Sequence, residues 1–193
     1  FIISIDTESD WTNKKEISLG NISGVHDLQK LCKKYSFIPT YLVTYEVAKD
    51  YNSIKILDTY HQKELCEIGS HLHVWTTPPF DELNEEGIDF KWYHAFQSEL
   101  PEGMLYDKLE TLGKTISKNF GHYPKSHRAG RWGIDSRTLN WLGKNGYLVD
   151  SSICSRKTWK LTRGVKGFLD YDSFNIDSQP YFPSSNNILK KSE

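Results

Sequence analysis

EIGSHLHVW, residues 67–75, is the stretch on which the fold turns. With Cys66 ahead of it, Cys66-Glu-Ile-Gly-Ser-His71 reads as a short buried strand. Its second half sets His71 and His73 at i and i+2, the spacing that in extended backbone sends two side chains to one face. Two imidazoles on one side of a strand end raise the question of what else converges there.

Upstream, Phe1-Ile-Ile-Ser-Ile-Asp6 is an almost wholly apolar run that ends in a carboxylate, and its β-branched content favours a buried strand. Residues 10–24 are polar and read as a loop. Val25, Leu28, Leu31 and Cys32 then fall at helical spacing and predict an amphipathic helix over 24–35. Residues 39–44 form a second strand candidate, and 61–66 read as the end of another helix. Downstream, residues 76–103 carry Pro78-Pro79 and several acidic residues without a sustained period, which predicts a long loop. Leu105, Leu109, Leu112, Ile116 and Phe120 mark a helix that Gly121 ends. Residues 126–132 predict a fourth strand running into a loop, Leu139 to Gly146 a short helix, and Tyr147-Leu-Val-Asp150 a fifth strand. The last residues, 184–193, trail off polar with no closing element expected.

Strands that alternate with helices in this way indicate βα units around a parallel sheet, open or closed into a barrel. In either form ligands bind beyond the C-terminal strand ends. Asp6, His71, Arg128 and Asp150 all fall near such an end.

Composition narrows the function classes. Basic and acidic residues balance, 24 against 25, which excludes a basic nucleic-acid arm or a polybasic membrane anchor. Eighteen apolar residues never run together, so no transmembrane segment is expected. Six Trp and eleven Tyr exceed what a core of this size needs and lean towards a surface that stacks sugar rings. Cys32, Cys66 and Cys154 match neither a zinc pattern nor a disulfide framework, and buried thiols are expected. A start at Phe1, already inside a strand pattern, reads as a fragment of a longer protein, so the missing leader says nothing about compartment.

Asp6-Thr7-Glu8 repeats the i, i+2 device with two carboxylates. One carboxylate and two imidazoles would make a three-ligand site with a position open to water, the kind that holds Zn²⁺ or a similar divalent ion. The second carboxylate would then serve as general base. Each piece has a plainer reading: Asp6 as a turn residue, the His pair as half-exposed polar groups, Arg128 and Arg131 as surface charges, Asp150 as a helix cap. Polar residues at four strand ends of one alternating chain carry more weight than any of them singly.

The blocks SIDTESDW, PTYLVTYEVA, EIGSHLHVW with TTPPF, SHRAGRWGID and YLVDSSI resemble, in order, the polysaccharide deacetylases of the NodB-homology group (carbohydrate esterase family four), most nearly its WalW-like branch. The similarity runs from Phe1 to about Ser152 and more faintly to Gln179-Pro-Tyr-Phe-Pro183. It implies a distorted (β/α) barrel with seven strands, here one catalytic domain over 1–193, incomplete at both ends and lacking its C-terminal part. It also implies a metal-dependent hydrolase that removes acetyl groups from amino sugars. The motifs map onto Asp6 as base and Glu8 as metal ligand, or the reverse, and onto His71 as metal ligand. Arg128 would orient the base, and Asp150 would partner a catalytic histidine. The family's second histidine, four residues after the first, falls on Trp75, so His73 must replace it or the site is a ligand short. The carboxylate pair, usually adjacent, is spread to Asp6 and Glu8.

Trp11, Trp75 and Trp132 follow these blocks closely and are candidates for stacking on the carbohydrate substrate. Two further readings stand beside the first: a metal-free amide hydrolase of the same fold, suggested by Trp75 in the histidine's place, and a non-catalytic carbohydrate-binding relative.

Overall fold

Short runs rich in Ile, Val, Leu and Tyr form the strands, as their β-branched and aromatic content favours. A computed structural model of the chain describes residues 1–10, 17–80, 96–154 and 179–192. Its elements in chain order are β1 (Ser4–Thr7), α1 (Val25–Lys34), β2 (Thr40–Val43), α2 (Tyr45–Lys49), α3 (Tyr51–His61), β3 (Glu67–Leu72), α4 (Glu102–Phe120), β4 (Ser126–Ala129), α5 (Ser136–Lys144), β5 (Val149–Asp150), β6 (Pro183–Ser184) and β7 (Asn187–Lys191). Strands β1 to β5 form one parallel sheet in strict sequence order. That order has no reversal point, which separates it from a doubly wound sheet and matches an arc of a barrel.

Curvature is visible in one contact. Arg128 on β4 reaches Asp6 on β1 at 2.6 Å, although β2 and β3 lie between those strands. Three spacings of ~4.8 Å in a flat sheet would put the strands about 14 Å apart. The sheet therefore curls so that β1 and β4 face one another across its concave side.

Alternation gives the two faces different chemistry. Ser4, Thr40 and Glu67 share a register row on the concave side, where Thr40 and Ser126 both donate to the Glu67 carboxylate, at 2.8 and 2.6 Å. The opposite face carries Tyr41, Val43, Ile68, Leu72 and Ala129, all buried in the main apolar core. Helix α4 supplies Leu105, Leu109, Leu112, Ile116 and Phe120 to that core. It stops at Gly121, whose φ of 80° is the left-handed conformation a helix end favours. Asp50 and Asp135 cap α3 and α5 by accepting from Ser53 N and Thr138 N.

Two expectations need correction. Residues 61–66 are not the end of a helix: α3 closes at His61, and the chain then turns, with Glu64 at φ 56°. The tail is not without structure, because β7 pairs antiparallel with β6 and buries Ile188. Tyr181 fastens this pair by donating its hydroxyl to the Ile188 carbonyl at 2.6 Å. The described residues supply five parallel strands of the expected seven, and β6 and β7 form a separate pair. No helix among the described residues is long and apolar enough to cross a membrane.

Candidate active site

Asp6 and Glu8 leave the end of β1 on the same side, as their spacing predicts. Asn21 holds the Glu8 main-chain carbonyl at 3.0 Å. Across the concave side, His71 comes from β3 and His73 lies just past its end. Their Nε2 atoms are 3.1 Å apart, and Glu8 Oε2 lies 2.8 Å from His73 Nε2 and 3.9 Å from His71 Nε2. Tetrahedral bonds of ~2.0–2.1 Å space neighbouring ligand atoms by about 3.4 Å, so these three fit one divalent ion. Among the described residues this is the one group of His, Cys, Asp or Glu with that convergence.

The His71 ring is fixed in one tautomer. His71 Nδ1 lies 2.9 Å from the Arg128 carbonyl. A carbonyl only accepts, so Nδ1 carries the proton and Nε2 keeps its lone pair towards the cluster. Burial pushes the His71 pKa well below its ordinary value, and the neighbouring His73 adds to this against the opposing pull of Asp6 and Glu8. The ring is thus neutral at physiological pH, as a ligand must be. Both His side chains are 4% exposed, whereas Asp6 and Glu8 are 28% and 30% exposed. The cluster therefore has a dry imidazole floor and a carboxylate rim open to solvent.

Arg128 occupies the register position opposite His71. Its Nη1 donates to Asp6 Oδ1 and its Nη2 to Ser4 Oγ, each at 2.6 Å. Its Nε donates to the Ser151 carbonyl and hydroxyl at 3.2 and 3.1 Å. With Oδ1 committed to the guanidinium, Asp6 turns Oδ2 to 4.0 Å from His71 Nε2.

Asp150 pairs in register with His127, one position out of step with Arg128. Among the described residues its carboxylate accepts from Ser152 N and Oγ at 2.9 and 2.7 Å, while Ser152 Oγ accepts from Ala129 N. Burial raises its pKa to about 6 against those hydrogen bonds. No described histidine donates to it, and its register with His127 sets it outside the cluster. The ring of Trp75 stacks on His73 with centroids 4.2 Å apart. Trp132 sits in the turn after β4, at φ 56° directly after Arg131 at φ 54°. Trp11 lies outside the described residues.

Three supporting residues escaped the sequence reading. Gly130 packs its bare Cα against His73, where a Cβ would come within 2.8 Å of the ring and 2.6 Å of the Leu72 carbonyl. His127, fully buried behind the site, meets Ser70 Oγ at 2.9 Å, and burial lowers its pKa to about 3. Lys108, 2% exposed on α4, donates to the carbonyls of Val74, Thr77 and Pro79 at 2.9, 2.5 and 2.7 Å. Only Lys108 left a signal: it is a charged residue on the apolar stripe beside Leu105, Leu109 and Leu112.

No family model and no curated protein matches the chain. Solved structures do. A protein of Parabacteroides distasonis designated a glycoside hydrolase/deacetylase aligns at TM-score 0.59 and 16% identity over 100% of this chain and 41% of its own. One of Mycobacterium smegmatis designated a polysaccharide deacetylase aligns at 0.56 and 15% identity, covering 79% and 50%. The BpsB deacetylase domain of Bordetella bronchiseptica aligns at 0.50 and 13%, covering 80% and 64%. The chain matches about half the length of such structures. At these identities the likeness speaks for the fold alone, and it bears out the fold that the resemblance implies: the chain has the NodB-type (β/α) fold found in polysaccharide deacetylases.

Proposed function

We propose that the chain is the catalytic part of a metal-dependent hydrolase that removes acetyl groups from the amino sugars of a polysaccharide or glycoconjugate. The observation that carries this reading is the Glu8, His71 and His73 cluster beside a carboxylate, Asp6, that Arg128 holds in place. The designations of the Mycobacterium and Parabacteroides proteins support the substrate class.

A divalent ion such as Zn²⁺, held by Glu8, His71 and His73, would supply polarisation of the acetyl carbonyl and of the attacking water. Asp6 receives the proton of that water on Oδ2, the oxygen its bond to Arg128 leaves facing the cluster. Arg128 fixes the carboxylate and balances its charge through a charge-assisted hydrogen bond. The solvent-facing rim of Asp6 and Glu8 admits a sugar from outside, and the buried imidazoles keep the reacting centre dry.

The test joins metal analysis with acetate release from oligomers of N-acetylglucosamine. The protein should carry stoichiometric divalent metal and release acetate, and His71→Ala should lose both. Full metal content in His71→Ala would refute the ligand assignment. Acetate release that survives exhaustive chelation would refute the metal's part in the reaction.

A further inference from the structure

His73 is held on two sides. Against one part of its ring lies Gly130, close enough that a Cβ there would sit 2.8 Å from His73 Cδ2. Trp75 stacks on the same imidazole at 4.2 Å with the planes 24° apart. The guanidinium of Arg131 in turn lies over the Trp75 ring at 5.4 Å. Arg131 and Trp132 take left-handed backbone angles, φ 54° and 56°, which β-carbon-bearing residues adopt at a cost. That turn follows Gly130 directly and folds Arg131 back onto Trp75, so one short segment grips the His73–Trp75 pair from both ends.

His71 is oriented by a main-chain carbonyl within the sheet, whereas His73 lies just beyond the end of β3 and takes the stacked ring of Trp75. Trp75 is half-buried, and with an imidazole and a guanidinium against its rings it has little face left for a sugar. We infer that Trp75, backed by Arg131, is a positioning residue that sets the His73 ring for the ion, and not a sugar-stacking platform. The inference rests on the metal-binding reading of Glu8, His71 and His73.

Residues that orient a metal ligand typically change affinity by ~10–100-fold when lost. Zn²⁺ affinity is to be measured by competition with a chromophoric chelator, on purified wild-type protein, Trp75→Leu, Trp75→Phe and Arg131→Gln. Circular dichroism and melting check that each variant is folded. Trp75→Leu should bind Zn²⁺ ~10-fold or more weakly, Trp75→Phe should restore most of the affinity by keeping a stackable ring, and Arg131→Gln should fall between. At saturating Zn²⁺ the KM for the acetylated oligomer should change little in all three. Wild-type affinity in folded Trp75→Leu, with a raised KM, would overturn the inference and return Trp75 to the substrate. Wild-type protein that takes up no Zn²⁺ would overturn the metal reading itself, a result distinct from the first.

Discussion

Replacing Arg128 by Met keeps the aliphatic stem and removes the guanidinium that joins β4 to β1. The lost bonds are those to Asp6 Oδ1 and Ser4 Oγ and the forked pair to Ser151. Breaking a fully buried ion pair costs about 3–5 kcal/mol, and a surface pair is worth at most ~1. Here the partners are 14% and 28% exposed, which places the ionic part between those limits. The Ser4 and Ser151 hydroxyls add little where water can replace the guanidinium. The expected destabilisation is about 2–3 kcal/mol, read by urea unfolding at pH 7. Turnover should fall by ~10²-fold or more, the scale of a positioned general base. Zn²⁺ affinity, in contrast, should stay within ~threefold, because the group that orients His71 is the Arg128 main-chain carbonyl, which the substitution leaves in place. A loss of stability under ~0.5 kcal/mol would show that the cross-barrel bonds are not formed as described. A collapse of metal affinity would show that the side chain and the His71 carbonyl do not act separately.

Two further expectations concern the support behind the site. Because burial lowers the His127 pKa from 6.5 to about 3, the unfolded chain binds the extra proton between those values, and the stabilisation present above pH 6.5 is lost as pH falls towards 3. Between pH 7 and pH 4 this group costs about 3 kcal/mol, so His127→Gln should lose less stability than wild type over that interval in urea titrations; parallel losses would refute the assignment. Gly130→Ala would force a Cβ between the Leu72 carbonyl, fixed in the sheet, and the His73 ring. It should cost about 1–3 kcal/mol of stability and ~10-fold or more in Zn²⁺ affinity by calorimetric titration, and unchanged binding would contradict the close approach.

The strand ends were legible because apolar β-branched runs closing on a polar residue have few other readings, and the i, i+2 pairs at Asp6/Glu8 and His71/His73 give their facing directly. Helix α4 was legible from its period, and its stop from Gly121. Helix α3 was not: it buries little beyond Ser53 and Leu57, so its stripe is faint, and the clearer mark was the cap pair Asp50 and Ser53. The β6–β7 pair was missed because one residue of β7, Ile188, is buried, leaving no alternation to read. The packing of Trp75 on His73 was beyond reach, since it depends on a left-handed turn at Arg131 after a different strand. Asp150 pairs in register with His127, a relation between strands that the order of the blocks does not carry.

Lys108 has a consequence for how such a domain can change. By gathering three carbonyls from residues 74–79, it moors the chain leaving His73 to helix α4 and not to the sheet. Pulling on the chain at Pro79 then loads the mooring before it loads His73. A disturbance entering at Thr77 or Pro79 therefore spends itself on a helix whose other side is buried in the apolar core, and the spacing of the two histidines is insulated from it.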